Sequence, residues 1–205
     1  NYSMAGLQAV TNATADDMAR LTVITRQLGA STQFTSVQAG EAAKNLGMAG
    51  FETNKIIEAL PVTLDLAAAA SIDMATAASI TTGVMAGFQL SADKARGAAD
   101  ILATIASNAK VDISGMGEAL KYVGPIANNL GIDLAETSAV LGVLANNSIV
   151  GGQAGRQLKA AIQSLVNPSK DALAELDRLG ISAESINPRL HSMASIMQTL
   201  ADANV

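Results

Sequence analysis

The sequence has no cysteine and no tryptophan, and only 2 tyrosines, 3 phenylalanines, 4 prolines and 1 histidine among 205 residues. Each scarcity removes a class of chemistry. Without cysteine there is neither a disulfide framework nor a thiolate metal site. A lone histidine, His191, excludes a metal site built on several imidazoles, and any nucleophile–histidine–acid triad would have to form around it. Its sequence neighbours Arg189, Leu190, Ser192 and Met193 suit a loop or a helix cap better than a catalytic base. Basic residues are also in deficit: the formal net charge is -5, whereas nucleic-acid binders usually carry a basic stripe, so no direct nucleic-acid binding is expected. The two longest uncharged windows, Met74 to Ala92 and Thr137 to Gly155, have the length of a bilayer span, but they are rich in Ser, Thr, Asn, Gln and Gly. They read as packed soluble helices, and membrane contact is expected only through other parts of a parent protein. With no starting methionine or leader, and a helical pattern still running at Asp202-Ala-Asn-Val205, the chain reads as an excerpt of a longer protein.

What is abundant is alanine, about one residue in five against an ordinary usage well below that. An aromatic-poor, alanine-rich chain must build its core from small and aliphatic side chains on helices that approach closely. Alternating Val/Ile/Thr runs bounded by two-residue turns are hard to find. The predicted fold class is all-α: a compact multi-helix domain of hairpins joined by glycine-containing turns, with a long N-terminal helix.

That first helix is predicted over residues 3–29, because Met4, Leu7, Val10, Ala13, Met18, Leu21, Ile24 and Leu28 follow the spacing of one helical face, with Gly29 as its end. Residues 1–29 are therefore expected to form an element apart, continuing from an upstream coil, and residues 30–205 the helical domain proper. Thr35-Ser-Val-Gln38 offers a capping box for the next helix. A weak repeat follows. Gly50 in Gly47-Met-Ala-Gly-Phe51, Gly87 in Val84-Met-Ala-Gly-Phe88 and Gly131 in Asn129-Leu-Gly-Ile132 recur about every 40 residues, each closing a helix in the left-handed backbone conformation. Helix starts are expected near residues 36, 72 and 113 and, for the second helix of each pair, near 54, 92 and 134, with Thr53 or Asn54, Ser91 and Asp133 as caps. This period also suits stacked helix-pair solenoids. Pro61 and Pro125 should kink or split their helices. Pro168 is placed near the first position of a helix that Gly180 ends, residues 181–191 read as a loop or single turn, and Ser192 starts the last helix.

Candidate chemistry is sparse. Ile149-Val-Gly-Gly-Gln-Ala-Gly-Arg156 has the glycines of a phosphate cradle but lacks GxxxxGK[ST] and the GxGxxG spacing, and it follows a helical pattern instead of a buried strand. It is expected to be a helix break: Gly151 and Gly152 supply unusual backbone angles, Gly155 or Ala154 lets helices approach, and Arg156 and Lys159 face solvent. Asp16 with Asp17, Asp65 with Asp73, and Asp171 with Glu175 read as solvated helix faces, not acid–base pairs. Met48, Met74, Met85, Met116, Met193 and Met197 suit core filling more than an adaptable binding surface. No catalytic residue, cofactor site or metal site is assigned, and the residues singled out are the structural turns Gly50, Gly87, Gly131, Gly151, Gly152 and Gly155. Apolar faces left after the helices pair could meet copies of the same chain.

Several segments in order, namely Leu28-Gly-Ala-Ser-Thr-Gln-Phe-Thr-Ser36, Glu41-Ala-Ala-Lys-Asn-Leu-Gly-Met-Ala-Gly-Phe51, Leu64-Asp-Leu-Ala-Ala68, Ala99-Asp-Ile-Leu-Ala103, Ala119-Leu-Lys-Tyr-Val-Gly-Pro-Ile-Ala127, Leu144 through Leu158, and Leu176-Asp-Arg-Leu-Gly-Ile181, are similar to one family. From about residue 28 to 200 the chain resembles the core region of phage tail tape measure proteins of the TP901 type. The resemblance implies a structural virion protein, not an enzyme. It would be assembled in the bacterial cytoplasm, occupy the lumen of the tail tube, set tail length, and leave ahead of the genome during ejection. Implied partners are further copies of itself, the tail tube, tail-tip or baseplate proteins and tail assembly chaperones. The alternatives from other classes are a helical, solenoid-like adaptor for a protein partner and, ranked last, a cell-wall hydrolase.

Overall fold

Caps and turns divide the chain into eleven α-helices in the computed structural model, which describes residues 2–203 and contains no strand among them. They are α1 (Tyr2–Thr11), α2 (Ala15–Ser31), α3 (Ser36–Met48), α4 (Thr53–Ala70), α5 (Met74–Gly87), α6 (Ala95–Asn108), α7 (Ile113–Asn129), α8 (Leu134–Asn146), α9 (Gly151–Val166), α10 (Lys170–Arg178) and α11 (Met193–Asp202). Single 3-10 turns occur at Ala92–Lys94 and Glu184–Ile186.

The expected long first helix is in fact two. Asn12 takes a left-handed φ of 51°, and Thr14 opens α2 with a capping box in which its hydroxyl accepts from the Asp17 N–H while the Asp17 carboxylate accepts from the Thr14 N–H. These reciprocal bonds satisfy donors that a helix start leaves open, and they outweigh an apolar periodicity that would run straight through. The element does not stand apart either, because Leu7 and Leu21 are fully buried and both α1 and α2 pack on α3. Nor does Gly29 end it: α2 runs on to Ser31, and a Cβ on Gly29 would lie 2.4 Å from the Ser36 nitrogen, so this glycine admits the start of α3.

At the other turns the sequence chemistry acts locally. Gly50 and Gly131 have φ of 88° and 80°, a region an L side chain enters only with strain. Gly87 does not play this part, since the left-handed residue of its turn is Gln89, φ 51°. Gly87 instead lets α5 lie against α7, its added Cβ falling 3.7 Å from the Gly124 Cα. Neither Thr53 nor Asn54 caps α4, whose N-cap is Glu52 without a side-chain bond. Ser91 precedes its 3-10 turn without a side-chain cap. Pro61 and Pro125 lie inside α4 and α7 without splitting them. Pro168 lies before the N-cap Ser169, outside α10.

Asp73 caps α5: one carboxylate oxygen accepts the Thr76 N–H at 2.9 Å and the other the Thr76 hydroxyl at 2.7 Å. These bonds favour the ionised form and hold its pKa below the usual carboxylate value. A depressed folded-state pKa means the cap's contribution is complete above about pH 4 and is lost as pH falls through the folded value. Asp73→Asn is therefore expected to flatten the acid limb of the melting-temperature profile between about pH 2 and 5, checked by circular dichroism melts. Identical acid limbs would rule the cap out as a source of acid sensitivity.

Packing follows a simple order. Odd helices touch odd ones in sequence (α1–α3, α3–α5, α5–α7, α7–α9) and even ones touch even (α2–α4, α4–α6, α6–α8), and from α1 to α9 each helix also meets its chain neighbour. Two layers result, and the buried residues between them fall into two clusters. One is alanine-rich and centred on α3 and α4; the other extends from α5 to α11 around Leu102, Met116, Leu120 and Leu141. Small side chains let these layers lie close, as the composition requires.

Buried hydroxyls are mostly satisfied within their own helices: Thr25, Thr63 and Thr137 donate to the carbonyls of Leu21, Ala59 and Asp133. Ser138 in α8 is the exception, fully buried with no partner for its Oγ. An unsatisfied buried hydroxyl costs about 1–3 kcal/mol. Ser138→Ala is accordingly expected to leave stability unchanged or raise it by about 1 kcal/mol in urea unfolding. A loss of stability would mean that the hydroxyl is paired.

Candidate functional site

The glycine-rich stretch is the start of α9. Val150 is its N-cap and contributes no side-chain bond, so the first donors of the helix lack the usual cap. Gly151 has a positive φ of 59°, whereas Gly152 is an ordinary helical residue and not a second unusual angle. The space beside both is filled by Glu118 of α7. A Cβ on Gly151 would lie 2.9 Å from its Oε2, and one on Gly152 2.7 Å from its Oε1. A carboxylate thus already occupies the electropositive end of α9, where a phosphate would have had to bind. The glycines make room for it.

One turn on, Gly155 meets the backbone of Ala119, with an added Cβ only 2.2 Å from the carbonyl oxygen. The α7–α9 pairing is the most extensive in the molecule. Gly117 repeats the device between α5 and α7, where a Cβ would fall 2.6 Å from Ile80 Cγ1. Arg156 and Lys159 are exposed, and the Arg156 guanidinium lies 4.8 Å from the centre of the Tyr122 ring, a cation–π contact that joins α9 to α7 at the surface.

The carboxylates have local structural roles. Asp17 completes the Thr14 cap, and Asp65 lies 3.5 Å from Arg96 across α4 and α6. Glu175 accepts from Arg178 within α10, and that guanidinium holds its carboxyl below the usual carboxylate range. Asp171 is exposed in the first turn of α10. His191 is exposed and donates its backbone N–H to the Asn187 carbonyl in the turn before α11. Among the described residues no three or more His, Asp or Glu side chains gather as a metal site, and no helix is long and apolar enough to cross a membrane.

A large concavity was not foreseen from the sequence. It is an apolar groove of about 620 Å³ between α8 and α9 on one side and α10 and α11 on the other, walled by Val140, Leu144, Leu158, Leu165, Leu176 and Ile196. Each residue alone reads as part of an amphipathic stripe. Only the placement of α10 and α11 leaves space between the stripes. The methionines divide on the same map: Met74, Met85, Met116 and Met193 are buried, while Met48 and Met197 are exposed at 65% and 42%.

This arrangement offers an apolar groove and interlocked helices. The chain is 36% identical over 184 residues, 90% of its own length, to a protein named tape measure protein from Pneumococcus phage Dp-1. It is 32% identical over 196 residues, 95% of its length, to a probable tape measure protein from Escherichia phage P2. It spans only 16% and 24% of those two relatives. No solved structure matches it. The profile of the phage-related minor tail proteins matches residues 24–204. With most of its length matched by that profile, the chain belongs to the phage-related minor tail protein family.

Proposed function

We propose that this chain is a structural and assembly domain of a tape measure protein, the tail component that sets tube length from the lumen and is released as the genome is ejected. The observation that carries this reading is the 36% identity across 90% of the chain to a tape measure protein. The lengths of its helices support a division of that work. As one continuous helix the chain would reach about 300 Å at ~1.5 Å per residue, yet its longest helix, α4, has 18 residues and reaches only about 27 Å. A folded stack of short hairpins is a poor ruler and a good attachment body. Length is then measured by other parts of the parent protein, and this domain anchors, oligomerises or contacts the tail tube, the tail tip or baseplate and the assembly chaperones. Its location is the tail lumen of the virion after assembly in the bacterial cytoplasm, and its net charge of -5 limits adhesion to the DNA that follows.

The test is genetic. In-frame deletions in helical stretches of the parent gene outside this region should shorten tails in proportion to the residues removed, as seen by electron microscopy. Excision of this region should stop tail assembly without yielding proportionally shorter tails. Tails that merely shorten on excision would make this segment part of the ruler, and tails of full length in both cases would end the proposal.

A further inference from the structure

The end of the chain is attached differently from the rest. Helices α1 to α9 are linked by close helix–helix contacts, whereas neither α10 nor α11 forms a comparable interface with any of them. Within its own span α10 buries only Leu176, and α11 only Met193 and Ile196. These side chains reach the core across the apolar groove while the helix backbones stand away from it. The segment is entered through Asn167, with φ -132° and ψ 74°, followed by Pro168, a non-helical pair at which α9 stops. Among the described residues a single hydrogen bond ties 168–203 to the nine preceding helices: the Met193 N–H, at the first position of α11, donates to the Glu136 carboxylate of α8. No ion pair crosses the same boundary among those residues.

We propose that residues 168–203 form a hinged cap, latched by Glu136, that swings off the α8–α9 face as one unit while α1–α9 remain folded. Closed, the cap covers an apolar strip that includes Val140, Leu144, Leu158 and Leu165; open, it exposes that strip. The latch is well placed, because a carboxylate at a helix N-terminus meets both an unpaired donor and the positive end of the helix dipole. The remaining attachment is apolar, through Leu176, Ile181, Ile186, Met193 and Ile196, without the close backbone approach that joins α7 to α9, so opening requires less disruption than parting those two helices. Regions with few buried contacts open sub-globally, ahead of the rest.

Hydrogen exchange read by mass spectrometry on the full-length chain tests this. Amides of α10 and α11 should exchange at least about tenfold faster than those of α7 and α9. Glu136→Ala should accelerate exchange in both α10 and α11 by a further factor of about ten, with α5, α7 and α9 unchanged. Ile196→Ala, which loosens the cap without touching the latch, should act on the same two helices. Equal protection of the cap and α7–α9 would overturn the proposal, as would a response confined to α11 or acceleration in α7 and α9 as large as in the cap.

Discussion

Gly155→Ala is expected to destabilise the domain by about 3 kcal/mol or more. The added methyl carbon would lie 2.2 Å from the Ala119 carbonyl oxygen and 2.8 Å from its carbon, atoms of a helix backbone that cannot rotate aside as a side chain would. Relief requires α7 and α9 to separate along the most extensive pairing in the molecule. Against a total stability of roughly 5–15 kcal/mol, this is a large fraction. Urea unfolding should show a much lower midpoint with the slope preserved. Gly50→Ala is a useful contrast: no atom lies within 4 Å of its added Cβ, so the cost of about 1–2 kcal/mol comes from the positive φ alone. If the two variants were equally stable, close approach of α7 and α9 would not be what Gly155 supplies.

Leu46→Ala should have a similar effect, about 3–5 kcal/mol. Leu46 is fully buried on α3, the helix that packs on α1, α2, α4 and α5 together. The core around it includes Ala39, Ala42, Ala43 and Ala59. The cost of removing a leucine depends on how far its surroundings can collapse. Alanine methyls have no alternative rotamers with which to fill a void, and the backbones behind them are already in close contact. The cavity should therefore persist and place this substitution toward the upper end of the usual range. A loss below about 2 kcal/mol in the same unfolding assay would show that the N-terminal layers can shift to close it.

Much of this architecture is legible in the sequence because it is written in local chemistry. Thr35 with Gln38, Asp133 with the Glu136 N–H, and Ser192 with the Ser195 N–H are caps whose donors and acceptors lie three residues apart, and they fix where α3, α8 and α11 begin. Gly180, φ 71°, ends α10 by the same kind of local rule. The errors also have local causes. Thr14-Ala-Asp-Asp17 is itself a capping box, and an apolar stripe counted across it hides the start of α2. At Gly29 and Gly87 the absence of a side chain serves contact with another helix, a use that cannot be told from a turn without knowing what lies opposite. The family is legible in the order of many short segments, not in any single residue. The groove and the Glu136 contact were not reachable at all, since the groove needs the placement of four helices and the contact joins residues 57 positions apart.

The order of contacts between helices has a mechanical consequence. Because each hairpin of α1–α9 rests on the hairpins beside it and makes no extensive contact with a distant one, the interfaces are loaded in series along the chain. Tension applied at the two ends would then peel the body from its extremities, one hairpin at a time, at modest and repeated force instead of a single high rupture. A body that unravels this way can be threaded through a passage narrower than itself.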